Sequence, residues 1–219
     1  MRKLRHLGLI PDGTRRWSKG NNFPYPNAYW VTMKNIADAI DVAFDRGIKI
    51  MTVYLLSSDN FDRSKRDLEV GFSNETRFFR TLLPKIVENH KCRVICAGSI
   101  DKYSDKLPED YKSALADVCE KSKKYRKHTL NLLVAYNPID ELKHAVKKDL
   151  ENFMNHLWVK DAVDMLIRTG KEKRLSNFIP LQCGYAEVDV INKYFPDITK
   201  RDITNSIEEY HDRKRRFGT

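Results

Sequence analysis

The sequence predicts an α/β protein: a single domain on a mainly parallel central sheet flanked by helices. Three observations carry that expectation. Short apolar runs alternate with stretches of helical periodicity along the chain. Polar loops follow three of the apolar runs, at Asp12, Ser57 and Arg168. The length, 219 residues, suits one domain spanning 1–219 with a real core, and no repeat or linker divides it.

Each element has its own signal. The run beginning at His6 reads as a strand that ends on Asp12; Gly13 allows a tight bend, and Arg15 and Arg16 open a helix. From Ala28 to Arg46, residues Met33, Ile36, Ala37, Ile40 and Phe44 recur at helical spacing, with Gly47 as the stop. Ile48 to Leu56 reads as a buried strand. Asp67 starts a second helix carrying Phe78, Phe79, Leu82, Leu83 and Ile86. Arg93 to Ala97 is expected as a strand, and Pro108 to about Lys124 as a helix opened by proline and acids. Thr129 to Tyr136 is a further strand, Pro138 begins a helix, Val163 to Ile167 is a strand, and a basic helix starts at Thr199.

Composition narrows the function classes. No apolar run is long enough to span a bilayer, and the N-terminus lacks a signal peptide's apolar core, so a soluble, cytoplasmic protein is expected. The four cysteines show no paired CxxC spacing, which argues for buried or casual thiols and against structural zinc. A net charge of +10 raises the question of nucleic acid. The basic stretches Lys121 to Lys127 and Arg213 to Arg216 lack the interleaved aromatics of an RNA-binding motif, and a solvated helix face explains most of these lysines better. The expectation is therefore no nucleic-acid partner and an affinity for small anions.

The chemistry concentrates after the strands. The junction at Asp12 and Gly13 aims free backbone N–H groups and a helix dipole at one point. Asp12 there can hold a divalent cation or cap the helix, and Arg15 and Arg16 can reach phosphate oxygens. Ser57, Asn60 and Arg63 follow the second strand. Arg168, Arg174 and Ser176 share a loop after the strand at Val163, and Glu187 comes next in Gly184-Tyr-Ala-Glu. In open α/β sheets ligands bind beyond the carboxyl ends of strands, so these loops should meet at one crevice. Such a set suits a metal-bound diphosphate.

These segments, in this order, resemble the cis-prenyltransferases, the family of undecaprenyl diphosphate synthase. The family's His-x-x-x-Ile-x-Asp-Gly-Asn-x-Arg-Trp is matched by His6 to Trp17, and its Phe-Ser-x-Glu-Asn-x-x-Arg by Leu56 to Arg63. Its Arg-Thr-Gly-Gly-Glu-x-Arg-Leu-Ser-Asn-Phe is matched by Arg168 to Phe178, its Tyr-Ala-Glu by Tyr185 to Glu187, and its terminal Arg-x-Gly by Arg216 to Gly218.

The resemblance implies an apolar tunnel between the sheet and the helices around Ile36 to Phe44 and Phe72 to Ile86, although ordinary core packing accounts for the same phenylalanines. It implies prenyl transfer with loss of pyrophosphate, assisted by Mg2+ held by Asp12 and Glu187. Gly13, Thr14, Arg15 and Arg16 would hold an allylic diphosphate. Arg168, Arg174 and Ser176 would hold the second diphosphate. Ser57, Asn60 and Arg63 would surround the reacting carbons and help a proton leave, Ser57 and Asn60 also being common turn residues. The family works as a homodimer, in which Arg216 and Gly218 would complete the neighbouring subunit's site, unless they form a frayed tail.

The departures from the family pattern are equally informative. Thr14 replaces an asparagine. Tyr25, Ala28 and Tyr29 stand where elongating enzymes carry arginine and a Gly-His pair, so the leaving-group end has lost charge. Lys171 replaces a glycine, and Leu55 a small tunnel residue, which would shorten the space for product. With Ser176-Asn-Phe-Ile-Pro-Leu181, this pattern resembles the lavandulyl and cyclolavandulyl diphosphate synthase branch. That branch couples prenyl units head-to-middle with dimethylallyl diphosphate as acceptor, sometimes with cyclisation. Two alternatives stay open: regular cis-elongation using isopentenyl diphosphate, and a non-catalytic partner subunit. The second is disfavoured by the presence of Asp12, Arg168, Arg174 and Glu187.

Overall fold

The computed structural model describes residues 3–212, so Arg216 and Gly218 lie outside the described residues. Six strands form one sheet in the order β3-β4-β2-β1-β5-β6, every pair parallel. They are β1 (His6–Ile10), β2 (Ile50–Tyr54), β3 (Cys92–Ala97), β4 (His128–Leu133), β5 (Met165–Arg168) and β6 (Glu187–Val190). The helices are α1 (Thr14–Gly20), α2 (Tyr25–Asp45), α3 (Lys65–Thr81), α4 (Leu83–His90), α5 (Glu109–Ser122), α6 (Pro138–Lys148) and α7 (Lys200–Asp212). Chain order runs outward from β1 on one side and returns on the other, so β1 is where the winding reverses. Ligands of open α/β sheets collect at that kind of point.

The period-two alternation of the central strands sorts two cores. Leu7 and Leu9 of β1, with Met165 and Ile167 of β5, join Ile36 and Ile40 of α2 and Phe78 and Phe79 of α3 in the larger core. Ile10 and Leu166 face the other way and pack with Val159, from the connection between α6 and β5, and with Phe178 and Ile179, from the connection between β5 and β6. A Cβ on Gly8 would stand 2.7 Å from the Phe178 ring, so this strand position must stay bare for that connection to lie flat. His6 opens β1 in a structural role: Nε2 pairs with Thr52 Oγ1 at 2.7 Å, and the Asp164 carboxylate accepts the backbone N–H groups of Arg5 and His6.

Several boundaries differ from the sequence expectation. α2 begins at Tyr25 instead of Ala28, because Pro26 is tolerated in a first turn that needs no N–H partner. The helix expected to run from Asp67 through Ile86 is two helices broken at Leu82, where Pro84 cannot continue an internal ladder but fits the first turn of α4. β6 has no counterpart among the expected elements. Its Glu-Val-Asp-Val alternates half-exposed residues on a sheet edge, with no apolar run to mark it. No described helix is long and apolar enough to cross a membrane.

Candidate active site

A cavity of about 700 Å³ opens beyond the carboxyl ends of β1, β2 and β5, within the size range of small-ligand sites. It gathers Asp12, Gly13, Thr14, Arg15, Arg16, Tyr25, Tyr29, Leu55, Ser57, Asn60, Arg63, Arg168, Arg174 and Ser176. Segments separated by more than a hundred residues therefore share one wall.

The bend after β1 is built for close approach. Gly13 has φ 106°, a left-handed conformation, and a Cβ there would stand 2.4 Å from the Tyr194 ring. Gly13 is also the residue that caps α1, with no side chain bonding the first-turn N–H groups. The Asp12 carboxylate is thus not the helix cap. Its Oδ2 instead meets Arg168 Nη2 at 3.2 Å and Arg16 Nη2 at 3.3 Å. Thr169, fully buried, locks the Asp12 backbone: its Oγ1 accepts from Asp12 N at 2.9 Å and lies 3.0 Å from Asp12 O. Gly170 is required beside them, since a Cβ would press on Asp12 Cβ at 2.9 Å and its φ is 83°.

Arg168 is the innermost cation, 2 % exposed. Nη1 donates to the Arg174 carbonyl at 2.5 Å and to Ser176 Oγ at 3.0 Å. Its buried Nε makes no hydrogen bond. Burial pushes this guanidinium below its ordinary value, against the opposing pull of Asp12, but a guanidinium stays charged at any working pH. A buried cation with an unused donor at the edge of a cavity calls for an anion.

The carboxylate that organises the outer cations is Glu172, absent from the sequence-based candidates. Oε1 takes Arg16 Nη1 at 2.8 Å and Oε2 takes Arg174 Nη1 at 2.7 Å. These bonds hold Glu172 below its ordinary value, the one from Arg16 foremost. The signal in the sequence was its place as the glutamate of the stretch Arg168 to Phe178, which resembles the family's Arg-Thr-Gly-Gly-Glu motif.

The opposite wall is aromatic, with the Arg63 charge close enough to act on both of its phenols. Tyr25 and Tyr29 meet edge to face at 5.9 Å on α2, Thr32 Oγ1 pairs with Thr14 Oγ1 at 2.7 Å, and Met33, Ile36 and Leu55 line the depth. Burial raises Tyr25 to about 12. Ser57 and Asn60 fold the post-β2 turn as a reciprocal cap, with Ser57 N donating to Asn60 Oδ1 at 3.3 Å, so their turn-forming role is real even though both line the cavity. Arg15 reaches outward to Asp67 at 3.2 Å. Of the residues expected along a tunnel, Ile36 reaches the cavity, whereas Ile40, Phe44, Phe72, Phe78, Phe79 and Ile86 lie in the packed core.

Glu187 is not brought to Asp12. It pairs with Met165 at the start of β5, while Asp12 follows Ile10, which pairs with Arg168 at that strand's other end. Three residues of strand, roughly 10 Å, separate the two levels. Within this chain the second carboxylate expected beside Asp12 therefore lies at another level of the sheet. Asp12 alone still fits magnesium, which takes few protein ligands and keeps waters and substrate phosphates. Its Oδ1 makes no hydrogen bond among the described residues, and those residues contain no group of three His, Cys, Asp or Glu suited to caging a metal. The four cysteines are free thiols, Cys92 and Cys183 buried.

Comparison with known proteins agrees with this architecture. The Prenyltransf family model, described as undecaprenyl diphosphate synthase, matches residues 10–218. The chain is 30 % identical to the tritrans,polycis-undecaprenyl-diphosphate synthase (GGDP specific) of Sulfolobus acidocaldarius, covering 97 % of this chain and 87 % of that one. It is also 30 % identical to an isoprenyl transferase of Campylobacter jejuni over the whole of both chains. The structure of lavandulyl diphosphate synthase from Lavandula x intermedia, in complex with dimethylallyl diphosphate, superposes with a TM-score of 0.90 at 27 % identity over 98 % of each chain. That of a probable undecaprenyl diphosphate synthase from Campylobacter jejuni superposes at 0.82, also 27 % identical, over the whole of both chains.

Proposed function

The chain belongs to the undecaprenyl diphosphate synthase family of prenyltransferases, and from that premise we propose that it couples short allylic diphosphates, joining dimethylallyl units head-to-middle. The observation that carries the reading is the convergence of Arg16, Arg168 and Arg174 around the carboxylates of Asp12 and Glu172, facing a wall of phenols and apolar side chains on which Arg63 is the nearest cation. One side is made for a departing diphosphate and the other for its hydrocarbon.

In the proposed reaction the allylic C–O bond breaks and pyrophosphate leaves with its electron pair. The double bond of a second prenyl unit then forms the new C–C bond, and a proton is lost from a neighbouring carbon. Arg168 and the unpaired N–H groups at Gly13 and Thr14 hold the leaving oxygens, with Arg16 and Arg174 closing from outside. Asp12 would hold Mg2+, which when bound neutralises the charge growing on the leaving group. The faces of Tyr25 and Tyr29 accompany the allylic cation without capturing it. Ser57, Asn60 and Arg63 flank the reacting carbons and steer the proton out.

Head-to-middle coupling is supported by the missing cation at Tyr25, Ala28 and Tyr29 and by the close superposition on the lavandulyl enzyme. Regular cis-elongation with isopentenyl diphosphate is the second reading, favoured by the sequence relatives named as undecaprenyl diphosphate synthases. One experiment decides: purified protein, Mg2+ and dimethylallyl diphosphate alone, with products identified by mass spectrometry. A branched ten-carbon diphosphate is expected. Product that forms only when isopentenyl diphosphate is added would replace this reading with regular elongation.

We further propose a homodimer, supported by the exposed apolar side chain of Val188 on β6, the edge strand of the sheet.

A further inference from the structure

One buried carboxylate takes no part in the diphosphate site. Glu75 lies on α3 and is 1 % exposed. Its Oε1 accepts the Tyr29 hydroxyl at 2.7 Å and its Oε2 the Tyr111 hydroxyl at 2.7 Å. Around it aromatic rings dominate, the Tyr111 ring packing against Phe72 at 5.2 Å and Phe79 at 5.3 Å, and the cation that acts on it is Arg63. Along α3, Phe72, Glu75 and Phe79 share one face at i, i+3 and i+7, so the acid interrupts the stripe that would otherwise line a greasy passage. Such a local inconsistency is the kind that function retains. Stability does not call for it, because a satisfied buried polar cluster can usually be replaced by packed apolar groups.

Tyr29 is the hinge of the arrangement. Its ring lines the cavity while its hydroxyl reaches behind to Glu75. No described residue of α3 lines the cavity, so Tyr29 stands between the cavity and α3. We infer that Glu75 is a positioning residue which, through Tyr29, fixes the hydrocarbon end of the cavity and so limits the chain length the site accepts. The inference rests on the prenyl-diphosphate reading. A free phenol could swing aside before a growing apolar chain; one held by a buried carboxylate cannot. Displacing it would strip the buried carboxyl group of a partner and set a hydrocarbon against an unpaired polar atom.

The test is binding of non-reactive allylic thiolodiphosphates with five-carbon and twenty-carbon chains, by calorimetry, alongside product masses from mixed five-carbon diphosphates. The native protein should bind the short analogue at least about tenfold more tightly, the scale of one buried polar group left without its hydrogen bond. The combination Tyr29→Ala, Glu75→Leu and Tyr111→Phe, which leaves no buried hydroxyl unpaired, should abolish that preference and lengthen the products. Glu75→Gln, still able to pair both hydroxyls, should retain it. Equal affinities in the native protein would overturn the inference, as would a preference unchanged in a correctly folded triple variant. Lack of turnover with every allylic diphosphate would instead refute the proposed reaction, and the binding ratio would still report on Tyr29.

Discussion

The Lys171 ammonium lies 5.1 Å from the centroid of the Tyr194 ring, which also carries the Arg16 guanidinium at 5.4 Å. Lys171 adopts φ 64°, a left-handed conformation that a side chain disfavours. The cation–π contact offsets part of that strain and keeps an extra positive charge at the rim of the site. Lys171→Gly should therefore raise stability by about 1 kcal/mol in denaturant unfolding. The same variant should raise KM for the diphosphate severalfold in steady-state kinetics. A variant less stable than the native protein would show that the strain is not what the backbone angle implies.

Asp12 and Arg168 form the inner pair. Asp12→Ala should lower kcat by about a thousandfold, the scale of a lost transition-state electrostatic contact. It should also lower stability by about 1–3 kcal/mol, because Arg168 stays buried with one partner fewer. Rate assays with varied Mg2+ and urea midpoints read the two effects separately.

Glu172 offers a sharper contrast. Its ion pairs are partly exposed, with Arg16 and Arg174 side chains 43 % and 68 % accessible, so the fold should hardly depend on them. Glu172→Gln should change stability by less than about 0.5 kcal/mol. It should cut kcat/KM by about tenfold through loss of guanidinium orientation. An undiminished kcat/KM would reduce Glu172 to a surface acid.

His6 predicts an acid-sensitive fold. Burial lowers it from its ordinary value near 6.5 despite the raising effect of the Asp161 and Ala162 carbonyls. The unfolded chain therefore binds the proton first as pH falls. The stability contributed by neutral His6 is fully present above about 6.5 and declines below it, by up to roughly 1.4 kcal/mol per pH unit until the folded group titrates. Urea titrations between pH 7 and 5 should show this slope, and His6→Gln should flatten it.

A dimer through the β6 edge makes a simple prediction. Val188→Asp should shift the sedimentation coefficient to that of one chain at micromolar concentration, because a charge cannot be buried there unpaired.

Much of this was legible in the sequence, for identifiable reasons. Asp12, Gly13, Arg16 and Arg168 announce themselves because each sits where an apolar run stops, and a parallel sheet delivers all such stops to one edge. β6 was not legible, since an edge strand of half-exposed alternating residues has no apolar run. The same lack of signal hides the position of Glu187, which is the first residue of that strand, at the far edge of the sheet. Glu172 holds the glutamate position of the Arg168 to Phe178 motif, but only the fold shows that two arginines share it. Glu75 was hidden inside an apolar helical stripe, where spacing alone says core.

The separation of Asp12 from Arg168, 156 positions along the chain, has a kinetic corollary. During vectorial synthesis the first phosphate-binding turn emerges long before the strand that completes it. Until β5 docks beside β1, the ribosome-bound fragment has half a site and an exposed sheet edge. Folding should be slow and dominated by long-range contacts. Ligand affinity should appear abruptly only once residues through about 177 have emerged, making pyrophosphate protection of truncated chains a reporter of the last docking event.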